Sequence, residues 1–224
     1  MNRFLTLLAF IVLASSAYAT PAACISESMD NYLVLPGGSC TINGLTFNGW
    51  SYASATVAAN HVLVTPVTTP GLEGFNFNAS WAATTPNDSE DSTIGFTASG
   101  ASFTDLHLFL LGSATGTGTA NVTETYCFNH AVNGCPAGPT NGGQISVTNP
   151  PPNFSDIVFM SPQASISVLK DIGVSAGPGA PGVISGATIS QVTNQFSNSP
   201  EPLSFVLLGT GLLGLGLLRK RIKL

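Results

Sequence analysis

The sequence predicts an all-β body, folded as an antiparallel β-sandwich of jelly-roll or immunoglobulin-like type. Apolar and polar residues alternate over a whole strand length, as in residues 75–81. Gly, Pro and Asn interrupt these runs at short intervals, which is typical of turns between strands. Residues 20–199 contain no amphipathic helical period of any length. The body is therefore expected to consist of short strands packed as two layers.

The predicted strands and loops follow one another along residues 20–196, which have the length of one domain. Alternating runs predict strands with one buried face at residues 75–81, 94–98 and 164–168. Denser apolar runs predict strands buried on both faces at residues 62–67, 106–111 and 157–160. Small, turn-forming residues predict a hairpin turn at residues 113–119 and loops at residues 133–143, 149–153 and 177–182.

The body carries almost no positive charge. Lys170 is the only Lys or Arg in residues 20–199. Such a surface cannot neutralise a phosphate backbone, which excludes nucleic acid as a partner. Direct charge pairing with an acidic polysaccharide is not expected either. The surface should instead be covered by Ser, Thr, Asn and Gly.

The N-terminus has the three parts of a secretory signal peptide. Arg3 supplies the positive charge, residues 4–14 are apolar, and residues 17–19 (Ala-Tyr-Ala) form a small-residue cleavage site. Residues 1–19 are therefore predicted to be removed, which leaves Thr20 as the first mature residue. The body is expected to fold outside the cytoplasm.

The four cysteines fall into two close pairs. Export favours disulfides, and four cysteines allow three connectivities. We favour the local pairs, Cys24 with Cys40 and Cys127 with Cys135, because each closes a short loop of turn-forming residues. A metal site is the weaker interpretation, since there is no C-x-x-C and no His at ligand spacing. A lipoprotein with Cys24 as its first residue is also weaker, because the residues before it make a poor lipobox.

The C-terminus combines a polar tripeptide, an apolar span and a basic end. In order, these are Pro200, Glu201 and Pro202, then residues 203–218, then Arg219, Lys220, Arg221 and Lys223. As a helix the apolar span is about 24 Å long, which is short for a bilayer core of about 30 Å. The basic cluster is expected to stay in the cytoplasm by the positive-inside tendency. The two prolines disfavour a helix and keep the tripeptide extended outside the membrane.

This tail resembles the sorting signal of the PEP-CTERM family of exported bacterial surface proteins. The body is also similar to PEP-CTERM proteins at residues 92–96, 117–127, 170–172 and 189–196. The resemblance assigns residues 197–224 to the sorting signal, with a spacer at residues 197–199. It implies recognition by exosortase, an integral membrane enzyme with a cysteine-protease-like mechanism, and association with exopolysaccharide. Leu203 departs from the family, which often has a small or hydroxyl residue at this position.

The candidate catalytic patterns do not indicate an enzyme, and no cofactor is expected. Residues 173–177 match G-x-S-x-G, but the Pro/Gly-rich segment after them cannot form the helix of a nucleophile elbow, and no His follows His130. G-x-G-x-x-G at residues 209–214 lies inside the apolar span and not in a βαβ unit. His61 and His107 occur singly. His107 shares a strand face with Asp105, although no nucleophile can be named.

Two features keep a binding function open. Asp88, Glu90 and Asp91 offer the oxygen ligands that calcium prefers, although a solvated turn is the simpler interpretation. Trp50 is the candidate for stacking on a sugar ring, whereas Trp81 is expected in the core. The sequence therefore predicts a non-enzymatic protein of the cell surface or exopolysaccharide matrix, structural or adhesive, held at the inner membrane before processing. The alternative is a carbohydrate-binding module, with or without calcium.

Overall fold

The computed structural model describes residues 21–136, 138, 140–179 and 181–199. This part of the chain is all-β, as predicted. The strands are β1 (Ala22–Ala23), β2 (Glu27–Ser28), β3 (Ser39–Ile42), β4 (Leu45–Ser54), β5 (Leu63–Thr69), β6 (Leu72–Ala83), β7 (Ser89–Thr115), β8 (Thr119–Phe128), β9 (Gly142–Asn149), β10 (Ser155–Ser175) and β11 (Gly186–Ser199). One short helix, α1 (Met29–Leu33), follows β2, and 3-10 turns lie at Pro36–Gly38, Ala59–His61 and Val132–Gly134.

The predicted signal peptide, sorting tripeptide, apolar span and basic end lie outside the described residues. Among the residues that are described, no helix is long and apolar enough to cross a membrane.

The strands form one curled, mixed sheet. Its main path runs β1-β3-β4-β7-β11-β6-β5-β2, and β10, β8 and β9 continue from β7 on a second branch. The strand pairs of the described chain are antiparallel except the first, in which Ala22–Ala23 lies parallel to residues 40–41 of β3. The predicted antiparallel arrangement is therefore right for all of these pairs but one.

The two long strands β7 and β10 belong to both halves of the sheet. Residues 92–99 of β7 pair with β4 on one side, and residues 102–115 pair with β11. The register of β10 against β7 shifts between Phe159 and Ser165, which bends the strand where the sequence suggested two separate strands. The two halves face each other across the core: the rings of Phe47 on β4 and Phe75 on β6 are 4.8 Å apart, although these strands are not neighbours.

The core between the halves is rich in aromatic side chains. Its fully buried large residues include Phe47, Phe75, Phe77, Trp81, Phe103 and Phe196. Trp81 lies in this core, as predicted, and its indole N–H donates to the hydroxyl of Ser92 at 3.1 Å. The alternation at residues 75–81 therefore does mark one core-facing side of β6.

The prediction that the dense apolar runs are buried on both faces is wrong. Leu63 is 47% exposed, Leu111 62% and Phe159 78%. Each of these strands has one face on the core and one in solvent, as is common in antiparallel sheets. The hairpin expected at residues 113–119 is also absent from the described structure. A turn does join β7 to β8, but β8 pairs with β9 and β10.

Two disulfides close local loops, with the pairing that the sequence favoured. Cys24 is bonded to Cys40 on β3, and Cys127 on β8 is bonded to Cys135. The first ties the chain before α1 to the sheet, and the second holds the loop between β8 and β9. Disulfides are typical of proteins that fold in oxidising compartments, and they indicate an extracytoplasmic protein.

The last strand is longer than the sequence suggested. β11 runs through Ser199, so the residues assigned to a spacer are part of the sheet. The side-chain amide of Asn198 donates to Glu73 at 2.6 Å, and the N–H of Ser197 donates to Asp105 at 3.1 Å. Polar partners on β6 and β7 thus extend the strand up to the predicted sorting tripeptide.

Candidate functional site

The outer surface of one half of the sheet carries a network of neutral side chains, here called the amide face: Asn76 on β6 with Gln191 and Thr193 on β11. The Gln191 amide nitrogen donates to Asn76 Oδ1 at 3.0 Å and to the Thr193 hydroxyl at 2.9 Å. The Thr193 hydroxyl donates to Asn76 Oδ1 at 2.7 Å. Thr193 and Asn76 lie opposite each other in the sheet register, which brings these side chains together.

Rings flank the amide face on β7. Phe109 lies opposite Thr193, and His107 lies opposite Gln195. The centroids of the two rings are 6.0 Å apart. Neutral amides and hydroxyls beside rings can form hydrogen bonds and apolar contacts with an uncharged polar ligand. The sequence gives no sign of this surface, because its members come from three strands that are distant in the chain.

Asp105 and His107 share a strand face, as predicted. His107 Nε2 lies 2.8 Å from Asp105 Oδ1, and the same oxygen accepts the N–H of Ser197. The pair therefore links β7 to β11 at the edge of the amide face.

A shallow groove of about 260 Å³ lies on the other half of the sheet. Ser51, Thr97 and Ser167 lie along it on β4, β7 and β10, and Ala131–Asn133 line it as well. Gly95 leaves room for the Ser51 side chain here, since a Cβ at this position would lie 2.5 Å from Ser51 Oγ. The groove offers hydroxyls and backbone groups to a ligand.

Trp50, the predicted stacking residue, packs within the aromatic cluster. Its ring stacks on Phe96 with centroids 4.9 Å apart, and it makes edge contacts with Tyr32 and Phe75 at 4.7 and 5.0 Å. The cause is a bulge at Gly49, which has a φ of +66° and lies where the register between β4 and β7 shifts by one residue. The extra residue turns Trp50 to the same side as Phe47.

The predicted calcium ligands point to different neighbours. Glu90 accepts the N–H of Ala82 at 2.8 Å. Burial, together with the neighbouring carboxylate of Asp91, raises the pKa of Asp171. No group of three or more His, Cys, Asp or Glu side chains in the described part of the chain is placed to hold a metal ion.

The G-x-S-x-G segment is a strand end that runs into a turn. Ser175 is the last residue of β10, and its hydroxyl accepts the N–H of Gly177 at 3.1 Å. Gly177 has a φ of +68°, a left-handed backbone conformation that glycine adopts readily in turns. The helix that must follow the serine of a nucleophile elbow does not have this conformation. This geometry agrees with the predicted turn.

The most unusual polar cluster lies inside the protein, and it is here called the buried triad: Lys170 on β10, Glu124 on β8 and Asn194 on β11. All three residues are fully buried. Lys170 Nζ lies 2.9 Å from Glu124 Oε2 and 2.8 Å from Asn194 Oδ1. The Asn194 amide nitrogen donates to Glu124 Oε1 and to the carbonyl of His107, both at 3.1 Å.

Burial dominates the protonation of the buried triad. It raises the pKa of Glu124, although Lys170 and Asn194 act in the opposite direction. Burial likewise lowers the pKa of Lys170, against the effect of Glu124. Both shifts favour the uncharged forms. In the sequence, the only sign of this cluster is that Lys170 stands alone as the positive charge of the body.

No protein-family model matches the chain, and no curated protein sequence matches it. Among solved structures, it is similar to TmCBM61 in complex with beta-1,4-galactotriose, with 9% identity and a TM-score of 0.35 over 65% of this chain and 87% of that one. It is also similar to the CBM22-1 xylan-binding domain of Paenibacillus barcinonensis Xyn10C, with 11% identity and a TM-score of 0.21 over 81% and 100% of the two chains. A third is the Glycosylation Associate Protein (Gap123) complex of Streptococcus agalactiae, with 9% identity and a TM-score of 0.32 over 71% and 25%.

Proposed function

We propose that this chain is an exported protein of the cell surface or exopolysaccharide matrix, with a structural or adhesive role. It is first held at the inner membrane and then sorted by exosortase through residues 200–202. The observation that carries the proposal is the order of elements at the C-terminus, where the tripeptide, apolar span and basic end follow directly after the last strand. The two disulfides support a body that folds outside the cytoplasm.

The charge distribution of the body supports contacts with neutral polymers. Its one lysine is fully buried against Glu124, so the lysine offers no positive charge at the surface. The amide face and the groove present amides and hydroxyls in its place. We also propose that the two facing halves of the curled sheet are a variant of the predicted β-sandwich, in which β7 and β10 are shared by both layers.

Glu201→Gln tests the sorting step. This change keeps the prolines, the span and the topology but removes the charge at the membrane face, so we expect processing to fail and full-length protein to accumulate in the membrane. The measurement is fractionation of the native host, with C-terminal peptides identified by mass spectrometry. Glu27→Gln is the matched control in the body and should be processed normally.

The outcome that contradicts sorting is specific. A wild-type mature protein that still carries Arg219 and Lys220 in the native host would leave only a simple tail anchor. Processing of Glu201→Gln at the wild-type rate would show that this carboxylate is not part of the recognition.

Binding of a neutral saccharide is the second candidate function, and the amide face favours it. Asn76→Ala combined with Gln191→Ala should weaken retention on a neutral polysaccharide column by about thirtyfold, since two lost hydrogen bonds of about 1 kcal/mol each amount to about 2 kcal/mol. Asn121→Ala is the matched control, because Asn121 is exposed on β8 in the other half of the sheet.

Two further outcomes separate the alternatives. Equal retention of the double variant and wild type would remove the amide face as the binding surface. Loss of retention in a chelator would instead indicate calcium, with Asp88, Glu90 and Asp91 as the residues to test.

A further inference from the structure

We propose that the side chains of Lys170 and Asn194 join in an intramolecular isopeptide bond, formed by the folded chain itself with Glu124 as its acid–base group. The three side chains make mutual contacts of 2.8, 2.9 and 3.1 Å inside the core. An amine, a primary amide and a carboxyl group in this arrangement are the reactants and the catalyst of a transamidation. This inference does not depend on the proposed sorting or binding functions.

The amine must be uncharged to act as a nucleophile. Proton transfer from the ammonium of Lys170 to the carboxylate of Glu124 converts the ion pair into a neutral amine and a neutral acid. Burial favours this state, since it lowers the pKa of Lys170 and raises the pKa of Glu124. The same transfer prepares both groups, so no other base is needed.

The geometry places the amine against the amide. Lys170 Nζ lies 2.8 Å from Asn194 Oδ1. The carbon to be attacked, Cγ of Asn194, is bonded to that oxygen at about 1.23 Å. The Asn194 nitrogen is held on its far side by Glu124 Oε1 and the carbonyl of His107. The carbonyl of the amide therefore faces the nucleophile, and its nitrogen faces the acid that would protonate it.

The surroundings exclude competing water. Lys170 Nζ lies 4.6 Å from the ring centroid of Phe96 and 5.5 Å from that of Phe77. These two rings and the three side chains of the buried triad are all buried, with at most 2% exposure. Attack by water on the amide is thereby disfavoured relative to attack by the amine.

The reaction balances without any co-reactant. Nζ of Lys170 bonds to Cγ of Asn194, and the proton on Glu124 passes to Nδ2 of Asn194. The Cγ–Nδ2 bond breaks, ammonia leaves, and the carboxylate of Glu124 takes a proton from Nζ. Glu124 is then again the neutral acid that the first proton transfer formed, and the product is a secondary amide between the two side chains.

The proposed bond would connect strands from the two halves of the sheet. Lys170 lies opposite Glu124 in the pairing of β10 with β8, in one half of the sheet. Asn194 lies on β11, which pairs with β6 and β7 in the other half. An ion pair here would contribute little net stability, because buried ion pairs are often no better than apolar side chains of the same volume. A covalent bond would instead join the two halves across the core.

The test is peptide mapping of the full-length chain. The purified protein is reduced, alkylated, denatured and digested with chymotrypsin. We expect one branched peptide that contains both Lys170 and Asn194, about 17 Da lighter than the sum of its two linear parts because ammonia has left. Glu124→Gln should give the two linear peptides, and Glu90→Gln, a carboxylate outside the buried triad, should retain the branched one.

Peptide mapping of the wild-type chain tests the proposed bond even if Glu124→Gln fails to fold. Linear Lys170 and Asn194 peptides from wild-type protein with a β-type circular dichroism spectrum would mean that the buried triad is an ion pair only, and would overturn the proposal. A branched peptide in Glu124→Gln that forms at the wild-type rate would overturn the role of Glu124.

Discussion

Replacing Lys170 by methionine is expected to lower the free energy of unfolding by at least about 3–5 kcal/mol near neutral pH. Methionine fills much of the volume of the lysine stem but provides no partner for Glu124, which is fully buried. A carboxyl group left without Lys170 in the core is strongly destabilising near neutral pH, because neither water nor another side chain stabilises its charge. Lys170→Met also removes the proposed bond to Asn194, which adds to the loss. Urea unfolding followed by circular dichroism measures the loss.

The stability lost in Lys170→Met should increase as the pH rises. Removing Lys170 removes an influence that lowers the pKa of Glu124, so the pKa of this carboxyl in the folded variant rises further above its unfolded value. A raised folded pKa means that the folded state binds the proton more tightly. Stability from this group is then present below the unfolded pKa and is lost as pH rises through the folded pKa. The variant should therefore be less impaired at about pH 5 than at about pH 8.

A double variant isolates the buried charge as the cause. Lys170→Met combined with Glu124→Gln removes the carboxylate but keeps a hydrogen-bonding partner for Asn194. We expect it to be more stable than Lys170→Met at about pH 8, with most of the difference gone at about pH 5. Equal stability of the single and double variants at about pH 8 would contradict the argument.

The sequence predicts where strand segments lie, but it does not predict which segments join into one long strand. The alternation at residues 94–98 and the dense run at residues 106–111 correctly indicated strand, yet both lie in β7. A register shift near Phe103 lets the strand bend and continue into the other half of the sheet. Residue patterns report which segments are extended, whereas the joining of two segments depends on neighbours that are distant in the chain.

The environment of Trp50 depends on a single glycine. Strict alternation from Phe47 would place Trp50 on the opposite face, towards solvent. The bulge at Gly49 inserts one extra residue and brings both aromatic rings to the core side of β4. A glycine between an asparagine and a tryptophan is a recognisable sign of a bulge or a turn, but the sequence alone does not say which.

The buried triad could not be predicted as a cluster. Its members lie at positions 124, 170 and 194 on three different strands, and each stands among ordinary strand residues. Only the solitary lysine was conspicuous in the sequence. The register of β10 against β8 brings it opposite Glu124, and the curling of the sheet brings Asn194 against both.

Trp81→Ala should destabilise the protein about as much as Lys170→Met, with an expected loss of about 3–5 kcal/mol in the free energy of unfolding. The indole is fully buried between the halves of the sheet, so its removal leaves a large cavity. It also removes the donor to the Ser92 hydroxyl, which is itself only 1% exposed. Denaturant unfolding at neutral pH measures the change.

Two controls separate the cavity from the hydrogen bond. Trp81→Phe keeps most of the apolar volume but lacks the indole N–H, so it should lose only about 1–2 kcal/mol. Phe159→Ala removes an aromatic ring that is 78% exposed on β10, and its effect should stay within about 0.5 kcal/mol. Equal losses in the free energy of unfolding for Trp81→Ala and Phe159→Ala would mean that the facing halves do not pack on Trp81. That result would contradict a single core enclosed by the curled sheet.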